Sequence, residues 1–355
     1  MSATKAKGFA AQSANSKLKE YEFERRSPLD NDVSIEIYYC GVCHSDIHTV
    51  RNEWKNSHYP IIPGHEIVGK ITALGKNVNE FKVGDNVGVG CLVDSCQKCS
   101  SCKDGYEQYC NEGFTPTYNG KDEIGGTSHE FTFGGYSDHI VVNKKFVLKI
   151  PSNLNLAATA PLLCAGITTY SPLKYWNVSK GTKVGIIGLG GLGHMGIKFA
   201  HAMGAEVVMI TTSPEKGKDA KKLGANDVLL STDKNAMNTL SNHFDVILNT
   251  IPVGHDVNPY LELLKRDGTM IILGAIEPLK AVNGAQLIFR RKKLAGSLIG
   301  GISETQEMLD FCGKNNITCD IEEISISEIN EAYERTVKND IKYRFVINMK
   351  SLTNK

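Results

Sequence analysis

The chain has little that would send it to a membrane or to nucleic acid. Its 355 residues hold no apolar run approaching the roughly 18 that a membrane span needs. The opening segment lacks the apolar core of a signal peptide, so a soluble cytoplasmic protein is the expectation. An excess of charge is missing too. The chain carries 40 basic and 39 acidic residues, a formal net charge of +1, with no basic stripe, which argues against a nucleic-acid partner. There is no internal repeat and no low-complexity segment, and tryptophan is scarce, with only Trp54 and Trp176.

Cysteine, by contrast, is plentiful at ten residues. Cytosolic thiols stay reduced, so clustered cysteines there point to metal binding or catalysis rather than disulfides. Cys40, Cys91, Cys312 and Cys319 stand outside the motifs described below, and are expected to be small buried hydrophobes.

The first 150 residues or so read as short strands and loops. Val33-Ser34-Ile35-Glu36-Ile37 alternates with period two, and Gly- and Pro-containing turns interrupt such stretches, as in an irregular β-barrel or sandwich. The character changes after Pro151. Strand candidates at 183–188, 206–210, 227–230, 244–251, 269–275 and 294–300 alternate with helical patterns, and several are near-continuous apolar runs suited to parallel strands covered on both faces. Leu192, Met195, Phe199 and Met203 fall at helical spacing. This is the rhythm of an α/β, doubly wound parallel sheet. The tail from about residue 303 is mixed and is expected to rejoin the first domain.

Gly188-Leu189-Gly190-Gly191-Leu192-Gly193 follows one of these strands and opens a helix. In that context the glycines allow a tight turn and close approach to a pyrophosphate, and the helix N-terminus offers unpaired N–H groups and a partial positive charge. An NAD site usually has Asp or Glu about 20 residues on, holding the ribose 2′-OH. Here the corresponding segment reads Thr211-Thr212-Ser213-Pro214-Glu215-Lys216. With no carboxylate at that place, a 2′-phosphate is not repelled, and Thr212, Ser213 and Lys216 can hydrogen-bond it. The reading is NADP(H), with Glu215 an awkward neighbour if it faces inward.

Cys96, Cys99, Cys102 and Cys110 are the strongest signal. Four closely spaced thiolates close a tetrahedron around Zn²⁺ and leave no open position, which makes a structural site. An iron–sulfur cluster is the chemical competitor, but no other electron-transfer feature accompanies it.

A second constellation is scattered. Cys43 lies in Gly41-Val42-Cys43-His44-Ser45-Asp46, His65 in Pro63-Gly64-His65-Glu66, and Cys164 in Cys164-Ala165-Gly166-Ile167-Thr168. Together with the four-cysteine lobe and the glycine turn, these motifs resemble the zinc-containing medium-chain dehydrogenase/reductase superfamily, and within it the cinnamyl alcohol dehydrogenase-like group. The resemblance implies a Rossmann domain at 155–291 and a GroES-like β-rich catalytic domain at 1–154 and 292–355, with a zinc lobe at 91–115. It implies a catalytic zinc on Cys43, His65 and Cys164, an alcohol dehydrogenase shell with a fourth position for water or substrate. It further implies Glu66 as a transient ligand, Asp46 as the carboxylate that fixes the His65 ring, Ser45 and His48 as a proton relay, and Trp54 near the substrate cleft. Cofactor contacts are implied at His44, Thr168, Gly188, Gly190, Gly191, Leu192, Gly193, Thr211, Thr212, Ser213, Lys216, Thr250, Gly274, Ala275, Ser297 and Ile299.

The implied activity is reversible hydride transfer between primary alcohols and aldehydes with NADP(H), in a homodimer containing two zinc ions per chain. Plant-type members carry a tryptophan after the last lobe cysteine, where this chain has Gly113-Phe114-Thr115, so broad-range aromatic and medium aliphatic aldehydes are expected in place of a specific lignin-pathway role. Two other readings stay open at this point: an NAD-dependent polyol dehydrogenase, and a non-catalytic protein that binds zinc and nucleotide.

Overall fold

The computed structural model describes residues 3–274 and 277–352. The chain forms two compact units, Met1–Cys164 with Gly300–Lys355, and Ala165–Ile299.

The first unit begins with an antiparallel pair, β1 (Ala3–Ala10) and β2 (Lys19–Arg26), in continuous register from Ala3↔Arg26 to Ala10↔Lys19. In β3 (Asp32–Gly41) Val33, Ile35 and Ile37 are buried while Glu36 is exposed, the alternation expected of a half-buried strand. A seven-residue helix, α1 (His44–Val50), follows, and then β4 (Ile67–Leu74) and β5 (Asn86–Val89). The lobe comprises β6 (Leu92–Ser95), α2 (Ser100–Lys103) and β7 (Phe114–Pro116), and the β6–β7 pairing closes its base. Strands β8 (His139–Asn143) and β9 (Leu148–Lys149) pair with β3 and β5. The short α3 (Leu156–Thr159) then leads through a 3₁₀ turn to Cys164.

The second unit runs α4 (Ala165–Tyr175), β10 (Lys183–Ile187), α5 (Gly191–Ala202), β11 (Glu206–Thr211), α6 (Pro214–Lys222), β12 (Asp227–Leu230), α7 (Lys234–Thr239), β13 (Phe244–Asn249), α8 (Asn258–Leu261), β14 (Leu264–Ile272), α9 (Gly284–Ile288) and β15 (Lys293–Gly296). Its six strands are all parallel, in the order β12-β11-β10-β13-β14-β15. Val184, Ile186, Val207, Met209, Leu248 and Met270 are fully or almost fully buried, as in a sheet covered on both faces. This is a Rossmann sheet. On α5 Met195 and Phe199 are fully buried, Leu192 is half-buried, and Met203 is the helix C-cap.

The tail returns to the first unit as α10 (Ile302–Asn315), β16 (Ile321–Ser325), α11 (Ile329–Val337) and β17 (Arg344–Asn348). β17 lies antiparallel to β3, giving the order β16-β17-β3-β4-β5-β9 in a GroES-like β-rich domain. The division between units falls at 164/165 and 299/300, whereas the family resemblance implied 154/155 and 291/292. Two packings account for the difference: residues 156–163 pack on β3, β4 and β5, and β15 pairs with β14 inside the Rossmann sheet. Among the described residues no single helix is long and apolar enough to cross a membrane.

Candidate active site and metal centres

The turn into α1 positions the first donor. Cys43 is extended, at φ −115° and ψ 153°, and caps the helix. Its N–H donates to Asp46 Oδ2 at 2.8 Å, so the carboxylate three residues on closes the helix start. The other oxygen, Oδ1, accepts from the Gly64 N–H at 3.1 Å and faces His65 Nδ1 at 3.0 Å. The Tyr136 hydroxyl donates to Oδ2 at 3.4 Å. Asp46 is fully buried and ties α1 to the Pro63–Glu66 turn. Gly64 sits at φ +102°, and a Cβ there would lie 2.6 Å from the Tyr136 ring and 2.8 Å from Cys40 Sγ, so only glycine fits. With Nδ1 engaged by Asp46, His65 has Nε2 to offer a metal.

Cys43 Sγ and Cys164 Sγ are 4.0 Å apart, and the donor atoms of Cys43, His65, Glu66 and Cys164, all buried, lie within 4.8 Å of one another. A tetrahedral zinc with Zn–S of about 2.3 Å separates two sulfurs by about 3.8 Å. The residues therefore fit a zinc ion. Glu66 is the fourth candidate donor, and it is already engaged: Arg344 Nη2 donates to Oε1. Its Oε2 is buried with no hydrogen-bond partner, as suits a carboxylate beside a cation. Burial pushes the Glu66 carboxyl up to about 8 against the opposing pull of Arg344. The hydrogen bond from Cys164 holds the Cys43 thiol well below its ordinary value, with Arg344 and His65 adding to the effect. The Cys164 thiol rises correspondingly, through Cys43 and then Cys91. Burial works against a charged His65, but Asp46, with Cys91 and Cys43 adding to it, more than offsets burial and the imidazole rises.

In the lobe, Cys96, Cys99, Cys102 and Cys110 converge with their sulfurs within 4.8 Å of one another, and Cys96 Sγ and Cys102 Sγ are 3.9 Å apart. Backbone N–H groups point at the sulfurs: Cys99 N to Cys96 Sγ at 3.4 Å, Cys96 N to Cys110 Sγ at 3.4 Å and Asn111 N to Cys99 Sγ at 3.5 Å. The bond from Asn111 pulls Cys99 down to about 6, whereas burial pushes Cys102 up to about 12. An all-sulfur tetrahedron of this size fits zinc and leaves no donor position open.

The remaining expected catalytic residues lie along α1. Ser45 is half-buried, and its carbonyl accepts from Thr49 Oγ1 at 2.8 Å. His48 is paired through Nδ1 with Glu53, a partner the sequence did not suggest, and its ring lies 5.2 Å from that of Trp54. Burial holds His44 below the usual imidazole range.

In the Rossmann unit, Gly188 adopts φ +90° and Gly190 caps α5. A Cβ on Gly193 would stand 1.9 Å from the Gly188 carbonyl oxygen, so the third glycine is a packing requirement of the turn itself. The Thr250 hydroxyl donates to the Ile187 carbonyl at 2.7 Å, bracing the strand end beside it. After β11, Thr211 Oγ1 accepts from the Ser213 N–H at 3.1 Å, and Ser213 Oγ accepts from the Lys216 N–H at 3.4 Å, capping α6. Glu215 is turned to solvent in an ion pair with Lys218 at 2.9 Å. Thr212 is exposed and Lys216 half-buried. Thr168 is buried on α4, Gly274 follows β14 where a Cβ would lie 3.0 Å from the Thr250 carbonyl oxygen, and Ser297 N donates to the Ile272 carbonyl at 3.3 Å. Ile299 is buried with φ +36°, and Ala275 lies outside the described residues.

Nothing in the sequence pattern pointed to Arg344, which is 278 positions from Glu66 and joins it only because β17 pairs with β3. Tyr136 was likewise unforeseen. Cys40, Cys312 and Cys319 are buried as expected, but Cys91 is not: it is half-buried, with its Sγ 3.7 Å from the Leu163 carbonyl oxygen.

Residues 29–152 match the alcohol dehydrogenase GroES-like domain and residues 191–314 the zinc-binding dehydrogenase family. An aldehyde reductase of Escherichia coli is 53% identical over 354 residues, 98% of this chain and 99% of its own. Among solved structures, a cinnamyl alcohol dehydrogenase from Sorghum bicolor superposes with a TM-score of 0.93 at 44% identity, covering 98% of both chains. A cinnamyl alcohol dehydrogenase from Helicobacter pylori complexed with NADP(H) gives 0.91 at 43%, covering 98% of this chain and 99% of that one. Near-complete coverage at such identity establishes that the chain belongs to the zinc-containing medium-chain dehydrogenase/reductase superfamily, in its cinnamyl alcohol dehydrogenase-like group.

Proposed function

We propose that this protein interconverts primary alcohols and aldehydes, aromatic or medium aliphatic, by reversible hydride transfer with NADP(H). One zinc is held by Cys43, His65 and Cys164, and a structural zinc by the four lobe cysteines. The observation that carries the reading is the buried convergence of two thiols and one imidazole, with Glu66, the nearest further donor, tied to Arg344. When bound, zinc supplies Lewis acidity towards a substrate oxygen and NADP(H) supplies or accepts the hydride. Ser45 Oγ takes the substrate hydroxyl proton as it gives up its own, and the ring of His48 takes up a proton and releases one to solvent. Glu53 orients that ring through Nδ1. Asp46 keeps His65 in the tautomer that leaves Nε2 for the metal. Trp54, its ring tilted at 5.2 Å from that of His48, borders the substrate side.

The preference for NADP(H) is supported by the hydroxyls of Thr212 and Ser213, by Lys216, and by an acid-free β11 end at which Glu215 faces away. The relatives named for aldehyde reduction and for NADP(H) agree with this. A homodimer is supported by the short edge strand β15 and by Ile288 and Phe289 just before it, which are 77% and 85% exposed. The ten unbridged thiols suit a reducing cytoplasm.

The decisive experiment follows benzaldehyde turnover at the cofactor absorbance, with NADPH and NADH compared. Turnover that prefers NADPH and stops on zinc removal is the expected result. A clear preference for NADH overturns the cofactor assignment, and absence of turnover on any aldehyde of the panel overturns the activity.

A further inference from the structure

Strand β13 ends on a residue that its apolar run does not explain. Phe244, Val246, Ile247 and Leu248 are buried, as a central parallel strand requires, and Asn249 after them is fully buried too. A polar side chain so placed has to be hydrogen-bonded, and both ends of its amide are. Oδ1 accepts from the Ile251 N–H at 3.2 Å, which fixes the orientation of the amide. Nδ2 therefore donates to His255 Nε2 at 2.8 Å. The imidazole carries its proton on the other nitrogen, Nδ1, which donates to the Val253 carbonyl at 2.8 Å. The two side chains thus tie the chain between them into one loop, 250–256. Pro252, Val253 and Gly254 are exposed, so burial does not hold the loop tip. Its other tethers are the Gly254 N–H, which donates to Glu277 Oε2 at 2.9 Å, and the His255 carbonyl, which accepts from the Lys280 N–H at 3.3 Å.

The place of this loop matters. The strand order β12-β11-β10-β13-β14-β15 reverses between β10 and β13. In a doubly wound sheet the ligand lies in the crevice outside the carboxyl ends of the strands at such a point. Ile187 and Asn249, the last residues of the two strands, are register partners. The glycine turn is one wall of the crevice and loop 250–256 is the other. Thr250 joins the two: its N–H donates to the Ile187 carbonyl at 3.1 Å and its hydroxyl lies 3.2 Å from the Gly188 carbonyl. We propose, on the basis that the Rossmann unit binds NADP(H), that Asn249 and His255 are positioning residues for the dinucleotide. They act through the backbone between them, which their hydrogen bond holds in one shape before the dinucleotide arrives. Without that bond the loop is free in the empty protein, and binding has to order it at a cost in conformational entropy. The loss falls on affinity more than on hydride transfer, because the ordering is complete once the dinucleotide is bound.

The test compares the natural holoenzyme with His255→Ala, His255→Gln, Asn249→Ala and the double alanine variant. NADPH dissociation constants come from fluorescence titration, kcat and KM for NADPH from aldehyde turnover, and melting temperatures are taken alongside. Each single alanine variant is expected to weaken NADPH binding about 3- to 10-fold, the worth of about one hydrogen bond. KM for NADPH should rise in proportion, and kcat at saturating NADPH should move far less. The double variant should bind as a single one does, since one bond links the pair. His255→Gln, which keeps an acceptor, should recover part of the affinity. A lower melting temperature with an unchanged dissociation constant shows a merely structural pair and overturns the proposal. So does multiplication of the two single effects in the double variant, or a loss confined to kcat. Should Asn249→Ala not fold, the two His255 variants decide. A natural protein that prefers NADH refutes the choice of cofactor alone, and the same titrations with NADH then decide the positioning role by the same outcomes. Binding of neither dinucleotide overturns both.

Discussion

Asp46 is the residue whose replacement most sharply tests how the metal site is held. Four donors converge on its carboxylate: Gly64 N and His65 Nδ1 on Oδ1, and Cys43 N and Tyr136 Oη on Oδ2. Asp46→Asn keeps the shape but turns one oxygen into a donor. If the amide nitrogen takes the Oδ1 place, it faces the Gly64 N–H, and His65 must present a bare Nδ1, which moves its proton to Nε2 and blocks metal binding. If it takes the Oδ2 place, Tyr136 can rotate its hydroxyl to accept, and only the Cys43 N–H is stranded. The second arrangement costs less, about 1–3 kcal/mol for one buried unsatisfied donor. Loss of the carboxylate that orients His65 is expected to weaken the metal about 10- to 100-fold, or about 1.4–2.7 kcal/mol. The assay is competition with a chromogenic chelator. The variant should surrender one zinc at lower chelator concentration than the natural protein and hold the lobe zinc unchanged. Equal loosening of both ions, or no loosening of either, refutes the argument that Asp46 acts through His65.

Three further outcomes are expected. Arg344→Met leaves the buried Glu66 carboxyl, already pushed up to about 8, without its partner; the carboxyl protonates, and the unpaired buried group should cost about 1–3 kcal/mol in urea unfolding, whereas no measurable cost would show the pair to be dispensable. Gly193→Ala drives a Cβ to 1.9 Å from the Gly188 carbonyl oxygen. It should destabilise the Rossmann unit by about 1–3 kcal/mol and weaken NADPH binding by fluorescence titration, with zinc content untouched; NADPH binding as tight as in the natural protein counts against the glycine turn as its site. Ser45→Ala should lower kcat by about 10²-fold or more while retaining both zinc ions, and an unchanged rate removes Ser45 from the proton path.

Much of the architecture was legible because it is local. The period-two burial of Val33, Ile35 and Ile37, the apolar runs of β10 and β11, and the glycine turn that opens α5 are each set by residues near one another in the chain. The four lobe cysteines span only residues 96–110, so their convergence is also nearly local. The catalytic group is of another kind. Cys43, His65 and Cys164 carry no shared period, and only the resemblance to a family joined them. Their 4.0 Å sulfur separation follows from sheet pairing and from the turns that lead into α1 and out of the 3₁₀ segment before Cys164.

What the sequence by itself determined is therefore the kind of chemistry available: thiolates, an imidazole, a glycine turn, and the absence of an acid after β11. Tertiary structure alone decided which charges meet. Arg344 reaches Glu66 because β17 returns beside β3, and Cys91 donates to the Leu163 carbonyl instead of vanishing into the core. The physical reason is that periodicity and spacing encode contacts within a turn or a strand pair. Burial of a charge or placement of a thiol depends on elements hundreds of residues apart, which only the folded chain brings together.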